Sequence, residues 1–228
     1  MNSETMEMIE AIRARHSVRQ YIDKSLETEK VDHLKEMVER LNCESGLHIQ
    51  LVVDEPRAFD CRMAHYGKFT NVRNYFAMVG KKDRDLDEKV GYYGEQLVLE
   101  AQRIGLNTCW VGLSYKKIPE AIDITDGERL VCVIAVGYGA SQGVAHKSKS
   151  IEKVTKTDRE MPDWFRNGTE AALLAPTAIN QQKFRFILHG EEEVELRSGI
   201  GFYSKVDKGI VRLHFEIGAG NANFRWKV

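Results

Sequence analysis

Apolar positions recur along this chain with two periods, and the switches between them outline a mixed fold. Met6, Ile9 and Ile12 share one helical face, which predicts a helix over residues 4–13. Val31, Leu34, Val38 and Leu41 form a second stripe, with Thr28 placed to cap it. Leu47, Ile49, Leu51 and Val53 then alternate as a strand. Residues 55–74 read as irregular, and 75–79 as a short buried strand. A long stripe of Leu86, Val90, Tyr93, Leu97, Ala101 and Ile104 predicts a helix that Gly105 stops. Residues 107–112 read as a loop, 119–122 as a short helix, and Asp126-Gly127 as a turn. The unbroken apolar run at 130–136 predicts a central strand covered on both faces.

The second part of the chain repeats this alternation. Asp163 is placed to cap a helix over 163–174, and 183–189 reads as a strand with Phe184, Phe186 and Leu188 on one face. Asp207 is placed to cap a last helix with Ile210, Leu213 and Ile217 on its stripe, ending near Gly218 and Gly220. Helix-then-strand at 28–53 thus recurs at 163–189. The helix and loop that end in Trp110 are echoed by the last helix and Trp226, and Leu97, Glu100 and Trp110 align without a gap on Leu213, Glu216 and Trp226. Duplication accounts for this order, and so does the plain alternation of an α+β chain.

The 228 residues are 43% hydrophobic and 29% charged, the composition of a globular chain long enough for one core or two small ones. A net charge of -1 gives no global reason to expect a nucleic-acid or membrane-surface partner. The longest apolar run is far too short to span a bilayer, and the N-terminus has no signal-peptide core. Cys43, Cys61, Cys109 and Cys132 form no CxxC or zinc-type pattern, so a cytoplasmic protein with reduced thiols is expected. The sequon Asn167-Gly168-Thr169 carries no weight without a secretory signal.

Candidate chemistry starts where the first helix ends. Arg13, Arg15, His16, Ser17 and Arg19 combine guanidinium forks, an imidazole and a hydroxyl, a set suited to a phosphate. The same cations also suit a helix C-terminus for its dipole alone. The segment from Arg15 to Tyr21 resembles the R-(R/H)-S-x-R-x-(F/Y) signature of the FMN-dependent nitroreductase family. Three later segments carry the resemblance further. Gly105-Leu106-Asn107-Thr108-Cys109-Trp110-Val111-Gly112 is similar to the family's GLGT-W-G loop. Val136-Gly137-Tyr138-Gly139-Ala140 followed by Lys147-Ser148-Lys149 is similar to the end of its core, and Ala175-Pro176-Thr177-Ala178-Ile179-Asn180-Gln181-Gln182 to its APSA-x-N-x-Q segment.

That last segment is out of its usual order. In most of the family it follows the first helix pair, where this chain has an unrelated Leu41-to-Gly46 loop. The arrangement resembles a smaller branch in which one chain imitates the usual homodimer. The resemblance implies an α+β nitroreductase-like fold, a mostly antiparallel central sheet flanked by helices. It implies an FMN-binding core over 1–160 and a C-terminal half-repeat over 161–228 that completes the site, so that a monomer suffices for one flavin and further homo-oligomers stay open.

By position, Arg15 and Ser17, with His16 between them, would hold the phosphate or ribityl chain, and Arg19 would lie near N1 and O2, where reduction puts negative charge. Thr108, Cys109, Trp110, Val111 and Gly112 would place a backbone N–H near N5. Lys147 and Lys149 would complete the phosphate clamp, and Pro176, Thr177, Ala178 and Asn180 would cover the flavin edge. The implied activity is hydride transfer from NAD(P)H to a small-molecule acceptor: a nitroaromatic, a quinone or another. It needs no catalytic side chain, because the cofactor carries the chemistry. Read without the resemblance, the tryptophan loop is a core anchor, the lysines a solvated stretch, and Ala-Pro-Thr a helix stop.

Other readings fit less well. Gly137-Tyr138-Gly139-Ala140-Ser141-Gln142-Gly143 imitates a dinucleotide-binding loop, but no amphipathic helix follows and no acidic residue closes a later strand. Gly112-Leu113-Ser114-Tyr115-Lys116 lacks the second glycine of a nucleophile elbow. A flavin-binding protein without catalysis stands as the alternative on the same fold.

Overall fold

The computed structural model describes residues 3–227, with the side chains of 3–6 and 221 outside the description. Two four-stranded sheets alternate with helices, an α+β arrangement. The first part contains α1 (Ser3–Ala14), α2 (Thr28–Ser45), β1 (Gln50–Val52), α3 (Arg62–Tyr66), β2 (Asn74–Lys81), α4 (Leu86–Arg103), β3 (Asn107–Val111) and β4 (Glu128–Gly137). The second contains α5 (Ile151–Val154), β5 (Thr155–Lys156), α6 (Asp163–Leu173), β6 (Phe184–His189), β7 (Glu193–Ser198), α7 (Ser204–Ala219) and β8 (Arg225–Trp226).

The first sheet runs β1-β2-β4-β3, antiparallel throughout. Its inner strand β4 is the predicted apolar run, and the two faces of the sheet explain why the run is unbroken. Cys132, Ile134 and Val136 pack with Phe76 and Met78 against the helical layer of α2 and α4. Val133 and Ala135 pack with Tyr75, Ala77 and Val79 against loop residues Phe59, Phe69 and Ile118. Burying each such Val or Ile contributes about 1.5–3 kcal/mol.

The second sheet runs β5-β6-β7-β8. β6 and β7 pair antiparallel, as β1 and β2 do, while β7 and β8 pair parallel. In the first sheet β2 and β3 are parallel too, but β4 lies between them. Apart from the short added strand β5, the second sheet therefore has the order and directions of the first with its central strand left out.

The two parts meet along α4 and α7. A side chain on Gly91 would overlap the Val206 carbonyl and crowd the Ile210 nitrogen, and one on Gly209 would overlap the Glu88 carbonyl and crowd the Tyr92 nitrogen. Positions 88, 91 and 92 thus meet 206, 209 and 210 reciprocally, at one constant sequence offset. Reciprocal contact of this kind is the geometry of a two-fold interface. The offset lies two residues away from the match of Leu97, Glu100 and Trp110 to Leu213, Glu216 and Trp226.

Several local expectations change. The predicted loop at 107–112 is strand β3, because its backbone pairs with β4 from Asn107↔Gly137 to Val111↔Val133. Residues 55–74 contain α3 and a 3-10 turn at Pro56–Ala58. Thr28 and Asp163 open their helices without capping them. Asp207 lies inside α7, with its carboxylate turned to a distant loop. On α1, Ile12 is buried and Ile9 half-buried, while the Met6 side chain is outside the description. No helix among the described residues is long and apolar enough to cross a membrane.

Candidate functional site

After α1 the chain straightens and lies along the edge of β3. Ser17 bridges Thr108 in parallel, the Val18 N–H donates to the Thr108 carbonyl at 2.9 Å, and Tyr21 bridges Gly139. The buried Val18 points into the core, which turns its neighbours Ser17 and Arg19 to the other side of the segment.

Arg15 is buried at 4% exposure. Its Nη1 donates to the Leu174 carbonyl at the end of α6, 3.2 Å away, while its Nε is buried without a partner. Burial pulls the Arg15 pKa down, against the opposing fields of Glu95 and Cys109. His16 is also held below its ordinary range, first by burial and then by the charges of Arg15 and His146. Among the described residues no carboxylate forms an ion pair with Arg15, His16, Arg19, His146 or Lys147. Arg15, His16 and His146 thus make a positive corner.

Beside it opens a cavity of about 520 Å³. Ser17, Arg19, Cys109, Trp110, Val111 and Gly112 line one side, and Pro176, Thr177 and Ala178 the other. Tyr203, at the start of α7, crosses between the two parts, and its one hydroxyl proton is shared between the carbonyls of Gly112 (3.1 Å) and Val131 (2.9 Å). Its ring lies so close to Gly112 that no side chain fits there. Burial pushes the thiols of Cys109 and Cys132 up, which keeps both neutral in this wall.

The 176–182 segment is strained and tied down. Ile179, Asn180 and Gln182 hold left-handed φ values of 48°, 55° and 44°. The Asp207 carboxylate accepts from the Ala178 N–H at 2.9 Å and from Gln181 Nε2 at 2.7 Å. Burial raises that carboxyl to about 6, although both hydrogen bonds pull it down. Lys149 donates its ammonium to the carbonyls of Gln181 (2.9 Å) and Gln182 (2.7 Å). Asn180 and Gln182 donate their side-chain amides to the Lys147 carbonyl, each at 2.9 Å. Lys149 thus secures the segment, and Thr108, Asn180 and Lys147 support the cavity from outside its lining.

The family described as "Putative TM nitroreductase" matches residues 7–219. The chain belongs to this family. Family membership places it among oxidoreductases. The fold agrees with a "putative nitroreductase" from Thermotoga maritima, 22% identical, with a TM-score of 0.70 over 97% of this chain and 88% of that one. A "Putative NADH dehydrogenase/NAD(P)H nitroreductase" from Bacteroides thetaiotaomicron is 20% identical, with a TM-score of 0.51 over 68% and 97%. NfrA2 of B. megaterium is 15% identical, with a TM-score of 0.53 over 75% and 82%. No curated protein matches the chain.

For this nitroreductase-family chain, sequence reasoning missed three contributors to the site. His146 faces the cation cluster while donating from Nε2 to the Leu173 carbonyl at 3.0 Å. Tyr203 and Asp207 reach the cavity from α7. A buried pair braces the wall behind them: Glu95 meets His214 at 2.8 Å and accepts from Trp110 Nε1 at 2.8 Å, while His214 Nδ1 donates to the Ala171 carbonyl. Both nitrogens of His214 face acceptors, so one proton lies in the bond to Glu95.

Proposed function

We propose that this chain is an FMN-dependent oxidoreductase that moves hydride from NAD(P)H to a nitroaromatic, a quinone or another acceptor, in two half-reactions at one site. One observation carries the cofactor reading: the buried, unpaired Nε of Arg15, with His16 and His146 close by, beside a cavity with room for a flat ring. A phosphate is the anion that this donor set suits. The resemblance of the Arg15–Tyr21 motif supports FMN as the group that carries it.

Bound FMN supplies the hydride chemistry, which needs no nucleophile or base from the protein. The chain's own residues bind and orient. Arg15 and His16 hold the phosphate end, with Ser17 beside them. Arg19 puts a cation toward the ring edge that becomes negative on reduction. The 108–112 segment would place a backbone N–H near the ring, and Pro176, Thr177 and Ala178 would exclude water from its edge. NAD(P)H as donor is supported by the motif match and by the name of the Bacteroides relative.

The covering segment belongs to the same chain, and the reciprocal contact of Gly91 and Gly209 supports reading the chain as an imitation of a homodimer. In that reading 1–160 is the flavin-binding core, 161–228 completes the site, and a monomer holds one flavin. Native mass spectrometry tests this directly. One FMN on a single chain is expected, released on denaturation and bleached by NADH or NADPH. Two flavins per chain, FAD, or no flavin overturns the assignment. A flavin that NAD(P)H leaves oxidised makes the protein a binder only.

A further inference from the structure

We propose that the outer half of the cavity is an acceptor subsite in which Lys68 selects flat aromatic acceptors that carry an anionic group, such as a nitrobenzoate. The inference rests on the flavin reading above, which accounts for Ser17, Arg19, Cys109 to Gly112 and Pro176 to Ala178. It leaves Tyr66, Lys68, Leu113, Ile179 and Phe202 in the lining without a role.

Those residues form an unusual rim. Tyr66 is 86% exposed, Leu113 61%, Ile179 88% and Phe202 51%. Single exposed apolar side chains are ordinary, but four around one opening mark a surface that a ligand covers. Their chemistry suits a flat, apolar guest, with two aromatic and two aliphatic groups.

Lys68 supplies the charge. Its side chain makes no hydrogen bond or ion pair among the described residues, although it lines the cavity. The one carboxylate in the lining, Asp207, is buried and engaged by Ala178 and Gln181. No anion of the protein therefore answers Lys68 across the opening.

The backbone supports a functional reading of this rim. Lys68 sits at φ 62° and Ile179 at φ 48°, left-handed conformations that favour Gly or Asn and that a β-branched residue rarely adopts. Such strain persists where the surroundings hold it, and it gathers at ligand sites. Both residues are held. The Lys68 and Phe69 N–H groups donate to the His65 and Ala64 carbonyls at 2.9 and 3.0 Å, and the Thr70 N–H donates to the Arg19 carbonyl at 3.1 Å. Ile179 lies between Ala178, whose N–H donates to Asp207, and Asn180, whose amide donates to the Lys147 carbonyl. The ammonium thus stands on a turn bonded directly to the Arg19 segment.

The test uses FMN-loaded protein and two dead-end ligands of equal shape, benzoate and benzamide, titrated at low ionic strength against the flavin absorbance. Wild type is expected to prefer benzoate. Lys68→Met weakens benzoate about tenfold, the loss of one charge-assisted contact at a half-open site, and moves benzamide less than twofold. Lys68→Arg keeps the preference, and Lys68→Glu turns it toward benzamidine. In turnover, kcat/KM for 4-nitrobenzoate falls in Lys68→Met while that for 4-nitrobenzamide holds. Equal losses for both ligands overturn the proposal. So does a loss that appears in FMN affinity or in reduction by NADH, since Lys68 then serves the flavin or the donor. Wild type that takes up no FMN overturns the flavin reading and this inference together. Wild type that binds FMN without preferring benzoate overturns this inference alone.

Discussion

The two sheets of this chain start alike and end differently. Each leads from a helix into an antiparallel strand pair, then through a long helix into a strand parallel to the second of that pair. The first sheet inserts β4 between its last two strands, and the second does not. The first is preceded by α1 and the Arg15–Arg19 set, and nothing in 163–227 repeats that set. What the two parts share is what joins them: helices in reciprocal contact and a tryptophan bonded to a glutamate in each. What differs is the equipment for a ligand. On the proposed function, one part would hold the flavin and the other would close the site.

The largest expected effect lies at the seam. Glu95 and His214 are fully buried partners on α4 and α7. Removing one partner leaves the other buried and unanswered, which costs about 3–5 kcal/mol. Urea unfolding of Glu95→Ala is expected to show that loss in a single transition. Two separate transitions would break the comparison, because the parts would then be independent domains.

Next comes the asymmetry in ligand equipment. Arg15→Met is expected to weaken FMN binding by about 1.5–3 kcal/mol, the value of a hydrogen bond to a charged group. Fluorescence titration measures it. A loss below threefold would remove Arg15 from the phosphate site.

The seam also offers a matched pair. Gly91→Ala and Gly209→Ala each force a methyl against backbone of the opposite helix. Overpacking of this kind costs about 1–3 kcal/mol. If the helices meet as equals, the two costs agree within about 0.5 kcal/mol, and the double variant costs less than their sum because one separation relieves both. Unequal costs would mean that the reciprocity is geometric but not energetic.

How much of this was legible in the sequence depends on the range of the interactions. The 130–136 run named the buried strand, and the stripe from Leu86 to Ile104 named α4, because burial of one element leaves its own period. Strand β3 was hidden: Asn107-Thr108-Cys109-Trp110-Val111 has no clean alternation, and its pairing comes from β4. β7 went unread although Val194 and Leu196 alternate with charged residues. Asp207 looked like a cap because Asp near a helix start commonly is one, yet its partners lie 29 and 26 residues away. The family motifs brought Ser17, Arg19 and Pro176 to one cavity in advance, but they gave no sign that Lys149 would grip the Gln181 and Gln182 carbonyls or that His146 would join Arg15 and His16.

Asp207 gives the comparison a pH dependence. Its carboxyl rises from the ordinary 3.8 to about 6 on folding, chiefly through burial. The folded chain therefore binds this proton more tightly than the unfolded one, so the group favours folding most below about pH 4, and that contribution is lost as pH rises through 6. Asp207→Asn lacks the proton. The difference in Tm between wild type and variant should shift in the variant's favour from pH 4 to 7, and a constant gap would refute the assignment.

The smallest effect compares the two tryptophans. Trp110 donates to Glu95 at 2.8 Å and Trp226 to Glu216 at 2.7 Å. Each bond is worth about 1 kcal/mol net, so Phe at either position should lower stability by a similar small amount. The consequences beyond stability should divide. Trp110 lines the cavity, and its partner Glu95 also holds His214. Trp226 lies among Phe186, Phe215 and Phe224, outside the cavity lining, and Glu216 keeps Tyr92 and Arg212 as partners when the indole is gone. Trp110→Phe is therefore expected to shift the absorbance of the bound flavin, and Trp226→Phe to leave that spectrum unchanged at equal stability loss. A spectral change in Trp226→Phe as large as in Trp110→Phe would mean that the second sheet reaches the ligand after all, and that the division between a holding part and a closing part is wrong.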